Sequence, residues 1–164
     1  MIKYAEVLYE SIVDGTGIRV VAFLQGCPRA CEGCHNPELQ PAEGGREMDE
    51  ERFAEQLLKH VSPLHQGITF SGGDPLMQGE ALLSVLKIIK GKRPDLSIWV
   101  YTGYRFDQVR DMPVMRYIDV LVDGPFILQQ RDLTLAFRGS ANQRLIDVPF
   151  SLREGRVIEI GPVS

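Results

Sequence analysis

Residues 18–35 read IRVVAFLQGCPRACEGCH, an apolar, β-branched run that leads directly into three closely spaced cysteines. The run at 18–25 predicts a buried strand that ends just before the first thiol. Cys27, Cys31 and Cys34 are the only cysteines of the chain, in the spacing C-x3-C-x2-C. An odd number of cysteines within eight residues argues against a disulfide framework. It indicates a metal site in a reducing compartment, so we expect a cytoplasmic protein.

Composition restricts the class of protein. With 164 residues, 44% of them hydrophobic and 24% charged, the chain is expected to fold as one domain spanning residues 1–164. A net charge of −4 gives no electrostatic reason to expect a nucleic-acid partner. No apolar window is long enough to predict a membrane span. Lys3, Glu6 and Glu10 interrupt the N-terminal run, so a signal peptide is not expected.

Strand-like and helix-like segments alternate along the chain, which predicts an α/β fold with mostly parallel strands. Strands are predicted at 18–25, 67–71, 97–102, 118–123 and 156–160, and a loop entering a strand at 137–148. Helices are predicted from an N-cap at Asp49, over 79–90 and over 106–111.

Polar, glycine-rich segments follow each of the first four predicted strands. The cysteines follow the first, and SGGDP (71–75), TGY (102–104) and DGP (123–125) follow the next three. Because ligand sites of parallel α/β sheets gather at the carboxyl ends of the strands, these loops are expected to converge on one pocket.

The three thiols are compatible with two kinds of metal site. A zinc site would need a fourth ligand, and His35 is the only nearby candidate, although it is adjacent to Cys34. A [4Fe–4S] cluster bound by three cysteines leaves one iron free for an exogenous ligand. The spacing favours the cluster, because two consecutive residues rarely direct both side chains at one tetrahedral ion.

The spacing C-x3-C-x2-C resembles that of the radical S-adenosylmethionine (SAM) enzymes, whose folds are partial (β/α) barrels. The resemblance implies that Cys27, Cys31 and Cys34 bind a [4Fe–4S] cluster whose open iron chelates SAM. It implies that Gly72, Gly73 and Asp74 match the glycine-rich motif that binds the amino group of SAM. The further cofactor-binding candidates are Thr102 and Asp123, which could contact a ribose, an ammonium group or a cation, and His35, which could flank the adenine.

Further segments are similar to one branch, the glycyl-radical activating enzymes, and most closely to activating proteins of anaerobic (class III) ribonucleotide reductase. This implies a shortened partial barrel that cleaves SAM to methionine and a 5′-deoxyadenosyl radical, which creates a glycyl radical on the reductase. A low-potential electron donor such as flavodoxin or ferredoxin is implied. The segments are DGTGIR (14–19), FLQGCPRACEGCHNPE (23–38), SGGDPL (71–76), WVYTGY (99–104), DVLVDGPF (119–126) and FRGSANQR (137–144).

Alternatives remain open from the residues alone. The chain could activate another glycyl-radical enzyme, resemble a 7-deazapurine synthase, or be a non-catalytic zinc or iron–sulfur module. Residues 71–75 could be an ordinary β-turn, Asp123 a solvated cap, and Arg19 a surface residue before a strand. The roles of Arg138, Asn142 and Arg144 are undecided between a pocket and a structural loop.

Overall fold

The computed structural model describes residues 1–29, 31, 33–34, 37–41 and 44–160. Within these ranges the chain forms one seven-stranded sheet and four α-helices. The strands are β1 (Ile2–Ser11), β2 (Ile18–Leu24), β3 (Arg46–Met48), β4 (His65–Gly72), β5 (Ser97–Tyr101), β6 (Val120–Asp123) and β7 (Arg144–Asp147). The helices are α1 (Glu50–Lys59), α2 (Gly79–Lys92), α3 (Phe106–Val109) and α4 (Val148–Glu154). None of these helices is long and apolar enough to cross a bilayer.

The strand order is β3-β1-β2-β4-β5-β6-β7. The four central strands β2, β4, β5 and β6 are parallel to one another, whereas β1, β3 and β7 pair antiparallel at the two sides. The expected α/β class with a mostly parallel centre is confirmed. The sheet is open, because in the described part of the chain β3 and β7 end it without pairing with each other.

One face of the sheet is buried under α1 and α2. Alternate residues of a strand point to opposite faces, and Val20, Ala22 and Leu24 of β2 belong to this large core. Helix α1 begins where the sequence predicts it, since the Asp49 carboxylate accepts hydrogen bonds from the backbone N–H groups of Glu51 and Arg52.

The other face holds a smaller cluster around Trp99, with the buried Arg19 next to it. The Arg19 guanidinium donates to Thr69 Oγ1 at 2.7 Å and to the Ser97 carbonyl at 2.6 Å, which ties β2 to β4 and β5. Burial lowers its pKa to about 10. Arg19 is 0% exposed, so the interpretation of it as a surface residue is wrong.

Several expectations for the ends of the chain differ from the structure. Strands β1 and β3 and helix α4 were not predicted. The strand predicted at 156–160 is wrong, because only Glu159 forms a bridge, to Ile146 of the four-residue β7. Helix α4 intervenes between the two segments: the Asp147 carboxylate caps its first turn, and Gly155 ends it in the left-handed conformation at φ 72°.

Candidate active site at the carboxyl ends of the parallel strands

A cavity of about 280 Å³ lies at the carboxyl ends of the parallel strands. The loops after β2, β4, β5 and β6 all contribute to its wall, as their positions in the sequence predict. The lining includes Cys27, Arg29, Cys31, Cys34, Gly72, Gly73, Thr102, Gly103, Gly124, Pro125, Phe126, Gly139 and Gln143.

The cysteine loop (residues 26–35) leaves the end of β2 and brings all three thiols to this cavity. Each cysteine is half-buried. The backbone N–H of Cys27 donates to the carbonyl of Gln40 at 2.9 Å, which anchors the start of the loop. Burial raises the pKa of the Cys27 thiol; the nearby Asp74 carboxylate adds to this effect, and Arg29 opposes it. His35 lies outside the described residues.

The glycine-rich β4 loop (residues 71–75) packs directly against the end of β2. The Gly73 N–H donates to the Leu24 carbonyl at 3.0 Å, and the Asp74 N–H donates to the Gly26 carbonyl at 2.7 Å. A Cβ atom on Gly73 would lie 2.3 Å from the Gly26 oxygen, so only glycine permits this approach. Gly73 and Asp74 therefore hold the start of the cysteine loop against the end of β4, and Gly72 and Gly73 also line the cavity.

Asp74 connects several loops of the site. Its carboxylate is 0% exposed and accepts hydrogen bonds from four groups on three loops. The donors are Arg29 Nη1 at 2.5 Å, Thr102 Oγ1 at 2.8 Å, the Gly103 N–H at 3.0 Å and the Leu76 N–H at 3.1 Å. The loops after β2, β4 and β5 are thus joined through one carboxylate.

The other two polar candidates are placed differently. Thr102 lines the cavity, but its hydroxyl hydrogen is directed at Asp74. Asp123 faces a neighbouring cleft of about 370 Å³, where Arg144 binds its carboxylate through two hydrogen bonds, at 2.6 and 3.0 Å. Asp123 also accepts from the backbone N–H of Phe106, at the start of α3. The structure therefore brings Thr102, but not the Asp123 carboxylate, to the cysteines.

The segment FRGSANQR contributes Gly139 and Gln143 to the wall of the cavity. Asn142 donates to the Pro125 carbonyl at 2.8 Å, and Gln143 donates to the Gly124 carbonyl at 3.0 Å. These bonds fix the segment to the loop after β6, so Asn142 and Gln143 hold this part of the wall together, whereas Arg144 binds Asp123 in the neighbouring cleft. Arg138 is hydrogen-bonded to the Gln143 carbonyl through Nη1, at 3.4 Å, and its Nε is buried without a partner among the described residues.

Arg29 is the residue of this site that sequence reasoning missed. It lies between Cys27 and Cys31, and the sequence offered no role for it. The available signal was a positively charged residue in the cysteine loop and a carboxylate in SGGDP, which could form an ion pair. No local pattern shows that these two loops touch, because 45 positions separate Arg29 from Asp74.

The donor set fits a [4Fe–4S] cluster. Thiolates are the usual protein ligands of such clusters, and each iron takes one, so three thiols around one cavity leave the fourth iron for an external ligand. Among the described residues, no three Cys, His, Asp or Glu side chains are grouped closely enough to hold a single metal ion.

Comparison with known proteins gives the relationship of this chain. The family described as a 4Fe-4S single cluster domain matches residues 13–146. A protein of Haemophilus influenzae named anaerobic ribonucleoside-triphosphate reductase-activating protein is 39% identical over 147 residues, which is 86% of this chain and 95% of that protein. A protein of the same name from Enterobacteria phage T4 is 36% identical, over 81% of this chain and 86% of that protein.

Among solved structures, that of QueE from Escherichia coli matches with a TM-score of 0.46 and 16% sequence identity, over 62% of this chain and 52% of that chain. This likeness is too distant to bear on fold or function. The matches to the activating proteins cover most of both chains, and the family match at residues 13–146 includes the cysteine loop. The chain therefore belongs to the 4Fe-4S single cluster domain family and to the family of anaerobic ribonucleoside-triphosphate reductase-activating proteins.

Proposed function

We propose that this protein is a radical SAM enzyme that activates an anaerobic ribonucleotide reductase by creating a glycyl radical on it. One observation carries the proposal: three half-buried thiols line a cavity whose wall also contains the Gly72–Gly73 backbone. The names of the relatives supply the partner, since they are reductase-activating proteins. The whole chain, residues 1–164, would act as one radical SAM domain, which the single sheet supports.

The thiolates of Cys27, Cys31 and Cys34 would hold the [4Fe–4S] cluster near the carboxyl end of β2. When bound, the cluster supplies one electron that cleaves SAM into methionine and a 5′-deoxyadenosyl radical, which takes a hydrogen atom from the glycine of the reductase. The electron comes from a low-potential carrier such as flavodoxin or ferredoxin. These carriers operate in the cytoplasm, which is the proposed location.

Other residues in the cavity wall and next to it would bind and orient SAM. Asp74, Gly72 and Gly73 are proposed to receive its amino group, because a buried carboxylate beside accessible backbone is a favourable place for an ammonium ion. Thr102 would act through Asp74, which it positions. The proposed roles of His35 beside the adenine and of Asp123 near the ribose or a cation remain predictions, and for Asp123 a rearrangement of its bond to Arg144 would be needed.

The test is anaerobic reconstitution with iron and sulfide, followed by addition of SAM, a reductant and a candidate reductase. We expect a brown protein with broad absorption near ~400 nm, formation of 5′-deoxyadenosine, and a glycyl-radical signal in electron paramagnetic resonance spectra. The Cys31→Ala variant should give none of the three. Full activity of that variant would contradict the assignment.

The same experiment separates the alternatives. Product formation without a glycyl radical on the reductase would favour another small radical SAM enzyme. A colourless, air-stable protein that does not bind SAM would favour a non-catalytic zinc module.

A further inference from the structure

The carboxylate of Asp74 already holds a cation that belongs to the protein. Arg29 Nη1 lies 2.5 Å from Asp74 Oδ2, and the Arg29 side chain is 21% exposed while Asp74 is 0% exposed. A burial this complete makes an unpaired carboxylate costly, so Asp74 needs a positive partner at all times.

The hydrogen-bonding capacity of Asp74 is also full. A carboxylate offers about four lone-pair sites. Leu76 N–H donates to Oδ1, Arg29 and the Gly103 N–H donate to Oδ2, and the Thr102 hydroxyl lies 2.8 Å from Oδ1 and 3.1 Å from Oδ2. An ammonium group can therefore bind to Asp74 only by replacing one of these donors.

Two further features show that the place of Arg29 is built into the fold. Its guanidinium lies over the ring of Tyr104, 4.4 Å from the ring centroid. A Cβ atom on Gly103 would lie 2.4 Å from Arg29 Nη1, so the glycine after Thr102 leaves the room that the guanidinium occupies.

We propose that Arg29 is an internal competitor for the amino group of SAM: its guanidinium occupies Asp74 in the ligand-free chain, and the ammonium group takes its place. The inference rests on the proposed function. Among the four donors, Arg29 is the one that can leave, because two others are backbone groups and the Thr102 side chain is buried. It is also the only charged donor, so the exchange of one cation for another leaves the charge at Asp74 unchanged.

The exchange lowers the apparent affinity for SAM. When a ligand binds only the open form of a site, its apparent dissociation constant is the intrinsic constant divided by the fraction of protein in the open form. Only ligands with the amino-acid group carry this penalty, since the adenosine part does not need Asp74. Arg29 thus lowers the affinity for SAM and leaves the affinity for ligands without the amino-acid group unchanged.

The test is anaerobic equilibrium binding to the reconstituted protein and its Arg29→Gln variant, with SAM and with methylthioadenosine, which lacks the amino-acid group. Glutamine keeps an N–H donor for Asp74 but removes the competing charge. We expect the dissociation constant for SAM to fall about tenfold and that for methylthioadenosine to stay unchanged. Unchanged or weaker binding of SAM would overturn the inference.

The matched control is Lys90→Gln. Lys90 pairs with Asp119 at 2.7 Å and is also 21% exposed, but the pair does not line the cavity. Neither ligand should change its affinity in this variant. A change like that in Arg29→Gln would show a general effect of losing an ion pair and would overturn the inference.

A second variant covers the case in which Arg29→Gln fails to hold the cluster. Tyr104→Leu removes the ring beneath the guanidinium and leaves both charges in place, so SAM should bind about two- to fivefold more tightly. Unchanged or weaker binding would contradict the inference. If the wild-type protein binds no SAM at all, the proposed function fails and this inference fails with it, whereas binding that Arg29→Gln weakens overturns the inference alone.

Discussion

Two aspartates, Asp74 and Asp123, are almost completely buried, and an arginine from another segment neutralises each of them. Arg29, which lines the cavity, reaches the fully buried Asp74, and Arg144 reaches Asp123 in the cleft beside the cavity. Removing one partner of such a pair leaves an uncompensated charge in a medium that solvates it poorly. Arg29 therefore joins the loops after β2 and β4, and Arg144 joins β7 to the end of β6, as well as balancing a charge.

Replacement of Arg144 by alanine would leave the Asp123 carboxylate buried without its cation. We expect the free energy of unfolding to fall by about 3 kcal/mol, measured by urea denaturation followed by circular dichroism. Arg93→Ala is the control, because Arg93 and its partner Asp95 are exposed and water screens their attraction. No measurable change is expected there, and equal losses in the two variants would contradict the structural importance of the Arg144 pair.

Gly73→Ala should be much more damaging than an alanine at an unconstrained glycine. The added Cβ would lie 2.3 Å from the Gly26 oxygen and 2.7 Å from the Leu39 oxygen, both backbone atoms, so the start of the cysteine loop must move. We expect a loss of about 1–3 kcal/mol in the free energy of unfolding.

Gly91→Ala is its matched control. Gly91 lies in α2, and no atom lies within 4 Å of the position that an added Cβ would take, so alanine should raise the free energy of unfolding by up to about 1 kcal/mol. The same urea series measures both variants. A Gly73→Ala protein as stable as the wild type would show that the β4 loop can shift without cost.

At the level of elements, the sequence predicts the centre of the sheet better than its sides. The apolar runs that became β2, β4, β5 and β6 are continuous because both faces of those strands are covered. Strand β1 mixes exposed charges such as Glu6 with half-buried residues, so it lacks a clear period. The segment 156–160 has strand-like residues and makes two backbone hydrogen bonds to β7, but its pairing is limited to one bridge, between Glu159 and Ile146.

The candidate site likewise has one part that the sequence predicts and one part that it does not. The loops that follow the central strands were predicted to converge because parallel strands end at one edge, and they do line one cavity. The contact of Arg29 with Asp74 and the turn of Asp123 toward Arg144 depend on distances across the fold. Residue type and spacing do not contain those distances, so neither contact could be predicted.

The N-terminus of helix α1 allows a prediction about a single element. Asp49→Ala removes the side-chain acceptor for two N–H groups of the first turn, so the free energy of unfolding should fall by about 1 kcal/mol. Asp49→Ser keeps an acceptor at the same position and should recover most of the loss. Urea denaturation decides between them, and equal stability of the two variants would mean that the cap contributes nothing.

The whole molecule closes its cavity with segments from both halves of the chain. The cysteine loop comes from the first quarter of the sequence, and the segment FRGSANQR comes from the last. They meet at the loop after β6, where Gly33 lies so close to Leu128 that a Cβ atom would come within 2.9 Å of its Cδ1. A cluster bound to the three cysteines would therefore stabilise contacts between segments that are far apart in the sequence.

Cluster binding should accordingly stabilise the entire protein. A group that binds the folded chain and not the unfolded one adds free energy of unfolding by mass action, about 2.7 kcal/mol at a hundredfold excess over its dissociation constant. For a chain of this size that corresponds to a rise of roughly 5–10 °C in the unfolding midpoint after anaerobic reconstitution. Scanning calorimetry under nitrogen measures it.

The Cys31→Ala variant is the control for this rise in the unfolding midpoint. Cys31 is half-buried and its thiol belongs to the described lining of the cavity, so the variant without iron should unfold close to the wild-type midpoint. After reconstitution its midpoint should stay where it was, because two thiolates cannot hold a cluster that needs three. A rise as large as that of the wild type would place the iron away from the cysteine loop, since only iron held elsewhere could stabilise a chain that lacks one of the three ligands.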